Sequence, residues 1–205
     1  WLLAQGDLVD DSWTFVHCTH TTDGELAQLA ARGVSVALCP STEANLGDGL
    51  FSADSFAAHG GRIAVGSDSQ VSRDPFDELR WLDYGQRLYR GARPGLRPRK
   101  ASDPPGADLL SRAWLGGRRA LGQKIGQLVP GARADLLVLD PMVPALAGVP
   151  DDRLLDALMF QQPADAVRDV LAGGRWVVTD RRHVAEAAIL DDFRRAMASL
   201  VPQLD

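Results

Sequence analysis

A short apolar run, Arg62-Ile63-Ala64-Val65, ends abruptly in Gly66-Ser67-Asp68-Ser69, and two similar runs lie upstream at close intervals. The first is Trp13-Thr14-Phe15-Val16, which leads into His17-Cys18-Thr19-His20, and the second is Val34-Ser35-Val36-Ala37-Leu38-Cys39. Each is rich in β-branched and aromatic residues, as buried strands are. Between them, Thr22-Asp23-Gly24-Glu25 opens a helix with an N-cap and an early acid, Leu26, Leu29 and Ala30 follow at helical spacing, and Gly33 closes it. Pro40 to Gly49 reads as a long polar loop, and Ser52 to His59 as a short helix ending at Gly60-Gly61. Strand, loop and helix in series with short returns predict parallel βα units.

In such units the ligand-facing groups sit at the carboxyl ends of the strands. His17, the Ser41 to Gly49 loop and Asp68 therefore open onto one face. A carboxylate in the place of Asp68 can bind a cation through one oxygen and take a proton from water through the other, or it can cap the turn that follows.

Composition narrows the function classes. The 205 residues are 45% hydrophobic and 24% charged, with a formal net charge of −5 and a pI near 5.3. Acidity without a basic block argues against nucleic-acid and membrane-surface partners. No apolar run is long enough to span a bilayer and no leader is apparent, so the cytoplasm is the default location. Cys18 and Cys39 lack CxxC spacing and are read as reduced, buried small hydrophobes. The opening Trp1-Leu2-Leu3-Ala4 looks like the end of a helix whose beginning is missing.

The motifs carry a resemblance. Phe15 to His20, Leu38 to Gly49 and Ile63 to Ser69, at these separations, resemble the amidohydrolase superfamily of metal-dependent (β/α)8 barrels. More specifically, Ser41-Thr42-Glu43-Ala44-Asn45-Leu46-Gly47-Asp48-Gly49, Glu78-Leu79-Arg80-Trp81-Leu82 and Tyr84-Gly85-Gln86-Arg87-Leu88 are similar to the formimidoylglutamate deiminases of histidine breakdown. The resemblance implies an α/β chain holding about strands six to eight of a TIM barrel, followed by part of a small β-sandwich. Residues 1–121 would be barrel, 122–183 sandwich and 184–205 a closing helix. A full barrel takes roughly 250 residues, so a larger protein or a partner supplying strands is expected.

Carried over residue by residue, the resemblance makes His17 the sixth-strand histidine beside the metal and Asp68 the eighth-strand aspartate, both a zinc ligand and a proton relay. One Zn2+ per site is implied, with its other ligands and an acid/base Glu outside this chain. The implied reaction converts N-formimidoyl-L-glutamate to N-formyl-L-glutamate and ammonia, in a homodimer when full length. Gln70 departs from the family pattern, where a histidine is frequent. Two other readings stand beside this one: a superfamily deaminase acting on a purine-type ring, and a non-catalytic half-barrel that would hold no stoichiometric zinc.

Other residues are read structurally. His20 holds a loop, His59 ends a helix where an imidazolium suits the dipole, and His183 is an exposed turn residue. Trp81 and Tyr84 are packing residues, and Glu43 and Asn45 read locally as turn residues, whereas the resemblance implies that they shape the pocket. Asp74 to Tyr89 and Asp108 to Leu121 are predicted helices flanking a Gly-, Pro- and Arg-rich loop. Gly122 to Asp140 reads as glycine turns bounding short strands, and Val167 to Thr179 as a hairpin about Gly173-Gly174. Val184 to Leu200 reads as a helix with apolar Ala188, Leu190, Phe193 and Met197.

Overall fold

The computed structural model describes residues 2–5 and 8–201. Trp1 of the opening stub and the last four residues of the closing segment lie outside the described residues, and Leu2–Ala4 forms one 3-10 turn. Three short strands, β1 (Thr14–Val16), β2 (Ser35–Leu38) and β3 (Arg62–Val65), form a parallel sheet in that order. Phe15 pairs with Val36, and Val36 with Ile63. Central β2 is the most buried, with Val36 and Leu38 fully enclosed. The predicted parallel units are therefore present.

The crossovers begin and end on local signals. Thr22 caps α1 (Asp23–Ala31) through a capping box, in which its own N–H donates to Glu25 Oε2 at 2.9 Å and its hydroxyl accepts from the Glu25 N–H. Leu26 and Leu29 turn inward, and α3 (Ala53–Ala58) brings Phe56 into the same core.

The polar segment expected to be a loop is instead a helix, α2 (Pro40–Leu46), closed by left-handed Gly47. Its Ser, Thr and Asn content favours turns locally, but Pro40 suits a first helical position and a distant acid supplies what the helix start lacks. Glu78, in α4 (Pro75–Arg90), accepts from the Ser41 N–H at 2.9 Å and from the Ser41 hydroxyl at 2.5 Å. Helix α4 itself starts on Asp74, which accepts from the Phe76 N–H. Leu79 and Leu82 face the core, which leaves Trp81 about half exposed rather than packed. Tyr84 does pack, stacking on Phe160.

Helix α5 (Pro105–Leu121) begins three residues before Asp108, with Pro105 at its first position, and lies directly on β3. Contact is close enough that a Cβ added at Gly116 would stand 2.0 Å from the Ile63 carbonyl oxygen. The loop between α4 and α5 is tied down at several points. The Gly95 N–H donates to Asp83 Oδ1 at 2.8 Å, the Arg97 N–H donates to Asp54 Oδ1 at 2.9 Å, and Leu96 is buried. Arg99 and Arg112 both donate to buried Asp108, at 2.9 and 2.6 Å.

A second, antiparallel sheet has the order β4-β5-β6-β7, formed by β4 (Leu136–Leu139), β5 (Val167–Ala172), β6 (Arg175–Thr179) and β7 (Arg182–His183). The predicted hairpin is β5–β6, turned by Gly173 and Gly174, both at positive φ. Of the short strands expected over 122–140 only β4 forms, because the glycines and Pro130 upstream keep the chain in turns. His183 lies in a strand rather than a turn, exposed, with Nδ1 accepting from the Ala185 N–H. A further helix, α6 (Leu154–Gln161), packs on α4 and α5. The last helix, α7 (Glu186–Leu200), forms as expected, with Leu190, Phe193 and Met197 exposed. No described helix is long and apolar enough to cross a membrane.

Candidate active site

The carboxyl edge of the parallel sheet gathers residues from all three strands. The His17 N–H donates to the Ala37 carbonyl at 2.9 Å, extending the β1–β2 ladder by one residue. The chain then turns away with His17 at φ 62° and Cys18 at φ 54°. After β3, the Gly66 N–H makes the matching bond to the Leu38 carbonyl, and Asp68 follows at φ 39° and Gln70 at φ 60°. Left-handed backbone is uncommon for residues with a Cβ and gathers where surrounding structure imposes it. Here the restraints are visible. The Thr21 hydroxyl donates to the Cys18 carbonyl at 2.5 Å, and Thr42 Oγ1 accepts from the Ser69 N–H at 3.3 Å.

These turns bring the two predicted site residues together. His17 Nε2 lies 3.2 Å from Asp68 Oδ2. On the other side of the ring, Nδ1 lies 3.1 Å from Glu43 Oε1, and the same oxygen accepts from the Cys39 N–H at 2.9 Å. Glu43 is buried, whereas His17 and Asp68 are each more than one third exposed at the sheet edge. The arrangement is an imidazole held between a buried carboxylate and an open one.

Cys39 completes the cluster. One donor atom each from His17, Cys39 and Asp68 lies within 4.8 Å of the others, close enough for one cation to reach all three. Burial first, then the charges of Asp68, Glu43 and Glu78, push the Cys39 thiol up to about 11. A cation bound at this edge would act against that shift, since a coordinated thiol gives up its proton. Asp68 and His17 are the oxygen and nitrogen donors this edge offers a hard or borderline cation, and a carboxylate beside an imidazole fits zinc chemistry.

Cys39 was legible only as a core residue, although it directly follows β2 as His17 directly follows β1, with Asp68 three residues past β3. Cys18 is half-buried rather than buried, since it follows an edge strand, and both thiols are free. His20, Asn45 and Gln70 are exposed, and His20 is not among the grouped donors. His59 lies 3.6 Å from Asp23, joining the end of α3 to the start of α1.

Residues 2–177 match the sequence model of the amidohydrolase family. The chain belongs to that family. Among relatives, it is 47% identical over 94% of its length to a formimidoylglutamate deiminase from Pseudomonas aeruginosa, of which it covers 42%. A crystal structure of an amidohydrolase from Brucella melitensis superposes with a TM-score of 0.89 and 40% identity, over 98% of this chain and 44% of that one. An adenosine deaminase from Xanthomonas campestris, crystallised with bound zinc, superposes with a TM-score of 0.76 and 26% identity, over 97% of this chain and 48% of that one. The chain thus spans less than half the length of these amidohydrolases, and over that span it has their fold.

Proposed function

We propose that the protein carrying this chain is a metal-dependent hydrolytic deiminase that converts N-formimidoyl-L-glutamate to N-formyl-L-glutamate and ammonia, a step of histidine breakdown. The observation that carries the reading is the 3.2 Å approach of His17 to Asp68 at the carboxyl edge of a parallel sheet. The 47% identity to a formimidoylglutamate deiminase supports the choice of substrate. We assign β1 to β3 to the sixth to eighth strands of a (β/α)8 barrel, residues 1–121 to that barrel, 122–183 to part of a β-sandwich and 184–205 to its closing helix. A cytoplasmic homodimer goes with this assignment.

Zinc, held by Asp68 and by ligands from elsewhere in the protein, would supply Lewis acidity and bring the pKa of a coordinated water to about 7. The remaining work falls to side chains. Asp68 accepts a proton from the attacking water through one oxygen and returns it toward the departing nitrogen. His17, with Nε2 beside the same place, orients the nucleophile or, once it has taken up a proton at Nε2, stabilises the tetrahedral centre as charge develops. Water adds to the amidine carbon, the carbon–nitrogen bond breaks, and ammonia leaves.

The test is ammonia release from N-formimidoyl-L-glutamate by the purified protein and by His17→Ala and Asp68→Asn. Each substitution is expected to lower kcat by at least about 100-fold. Wild-type turnover by His17→Ala would overturn its assigned role. The likeness to an adenosine deaminase supports a second reading, a deaminase for purine-type rings, and adenosine assayed in parallel separates the two.

A further inference from the structure

Glu43 is buried and bonded to two of its neighbours in the cluster, yet the proposed reaction gives it nothing to do. Its Oε1 accepts from the Cys39 N–H at 2.9 Å and stands 3.1 Å from His17 Nδ1. A carboxylate oxygen that already accepts one bond offers only acceptor capacity to the next neighbour, so the imidazole nitrogen must bring the hydrogen. With Nδ1 as the protonated nitrogen, the neutral ring presents a lone pair at Nε2. Nε2 lies 3.2 Å from Asp68 Oδ2.

We propose that Glu43 is a positioning residue for His17, whose buried carboxylate fixes the hydrogen on Nδ1 and turns the bare Nε2 toward Asp68. Two acceptors 3.2 Å apart favour an occupant that brings a hydrogen or a positive charge between or beside them. The water to be deprotonated and the metal ion are both of that kind. An imidazole with the opposite tautomer would put an N–H into that place instead of a lone pair and would oppose a cation there.

The fold gives Glu43 this reach. Helix α2 begins directly after β2, which puts residue 43 one turn above the strand end and over Cys39, and Glu78 pins the helix start from the far side. The carboxylate is thereby 6% exposed and held at the level of the sheet edge, 26 residues from its imidazole in sequence. A plain structural role would be to cap the Cys39 N–H alone, and the test must separate the two.

The experiment is 15N spectroscopy of ring nitrogens in histidine-labelled protein at alkaline pH, with zinc removed. His17, one of four histidines, is assigned by the signals lost in His17→Asn. The wild type and Glu43→Gln, whose amide oxygen still accepts, are expected to show hydrogen on Nδ1. Glu43→Met, which keeps the volume and removes the acceptor, is expected to shift the hydrogen to Nε2 or to a mixture. An unchanged His17 tautomer in folded Glu43→Met overturns the proposal. Should that variant fail to fold, Glu43→Asp withdraws the carboxylate by one methylene, and an unchanged tautomer there overturns it equally.

Turnover supplies a second arm, which rests on the deiminase reading. Glu43→Met is expected to lose about 10–100-fold in kcat, as supporting partners of metal-site imidazoles do, with KM within about threefold. Glu43→Gln is expected to recover most of the loss. Wild-type protein inert toward N-formimidoyl-L-glutamate would sink the deiminase reading, leaving the tautomer result to decide the role of Glu43.

Discussion

Adjacent glycines in α5 should respond in opposite directions to the same substitution. Gly116 and Gly117 both sit inside the helix Pro105–Leu121, where replacing glycine by alanine gains up to about 1 kcal/mol from backbone entropy. Gly117 has open space where its Cβ would go, so Gly117→Ala should realise that gain and stabilise by about 0.5–1 kcal/mol. At Gly116 the new methyl would stand 2.0 Å from the Ile63 carbonyl oxygen and 2.4 Å from its carbon, more than an ångström inside ordinary contact. The obstacle is the backbone of β3, which cannot swing aside as a side chain would. Helix and strand must separate, at about 1–3 kcal/mol or more for overpacking. Net of the helical gain, Gly116→Ala should destabilise by about 1–2 kcal/mol, and the two variants should differ by about 2–3 kcal/mol. Urea unfolding of both, beside the wild type, reads the difference. Equal midpoints, or a more stable Gly116→Ala, would refute the claim that α5 rests on strand backbone.

Four further outcomes are expected. Thr22→Ala removes the capping box of α1 and should cost about 1 kcal/mol in the same assay. Glu78→Ala strips two buried donors on Ser41 of their acceptor, and should cost about 2–3 kcal/mol and raise amide exchange across α2. Asp108 resists burial, the largest influence on it, because Arg112 and Arg99 hold its carboxyl below the ordinary 3.8. Its folded state therefore binds the proton less readily than the unfolded chain, so its contribution is complete above about 3.8 and fades as pH falls below that. Asp108→Asn should flatten the acid limb of a stability–pH curve, and an unchanged limb would remove Asp108 from the account. Chelation should abolish ammonia release, and zinc should restore it to the wild type and not to Asp68→Asn.

What the sequence disclosed followed range. The parallel strands, α1 and α4 announce themselves within ten or so residues, through β-branched runs, caps and helical spacing. His17 and Asp68 were legible because a rule about strand ends converts local strand assignment into a shared face. Helix α2 was misread because Ser41, Thr42 and Asn45 favour turns locally, while the acid that settles the matter, Glu78, lies 37 residues onward. The same limit hid the contact of Glu43 with His17 and the approach of Gly116 to Ile63, each a pairing of distant segments that no window of sequence contains. Helix α6 starts at Leu154 on Arg153, which makes no side-chain cap bond.

The left-handed backbone at His17 and Asp68 sets the site against the stability of its own scaffold. Glycine adopts that conformation without a steric cost, so replacing either residue with glycine would relax a turn while deleting its chemistry. Under the proposed reaction, a library of variants ranked by heat resistance alone would therefore promote inactive proteins at these two positions, and the residues proposed to act would be found among those the screen most readily discards.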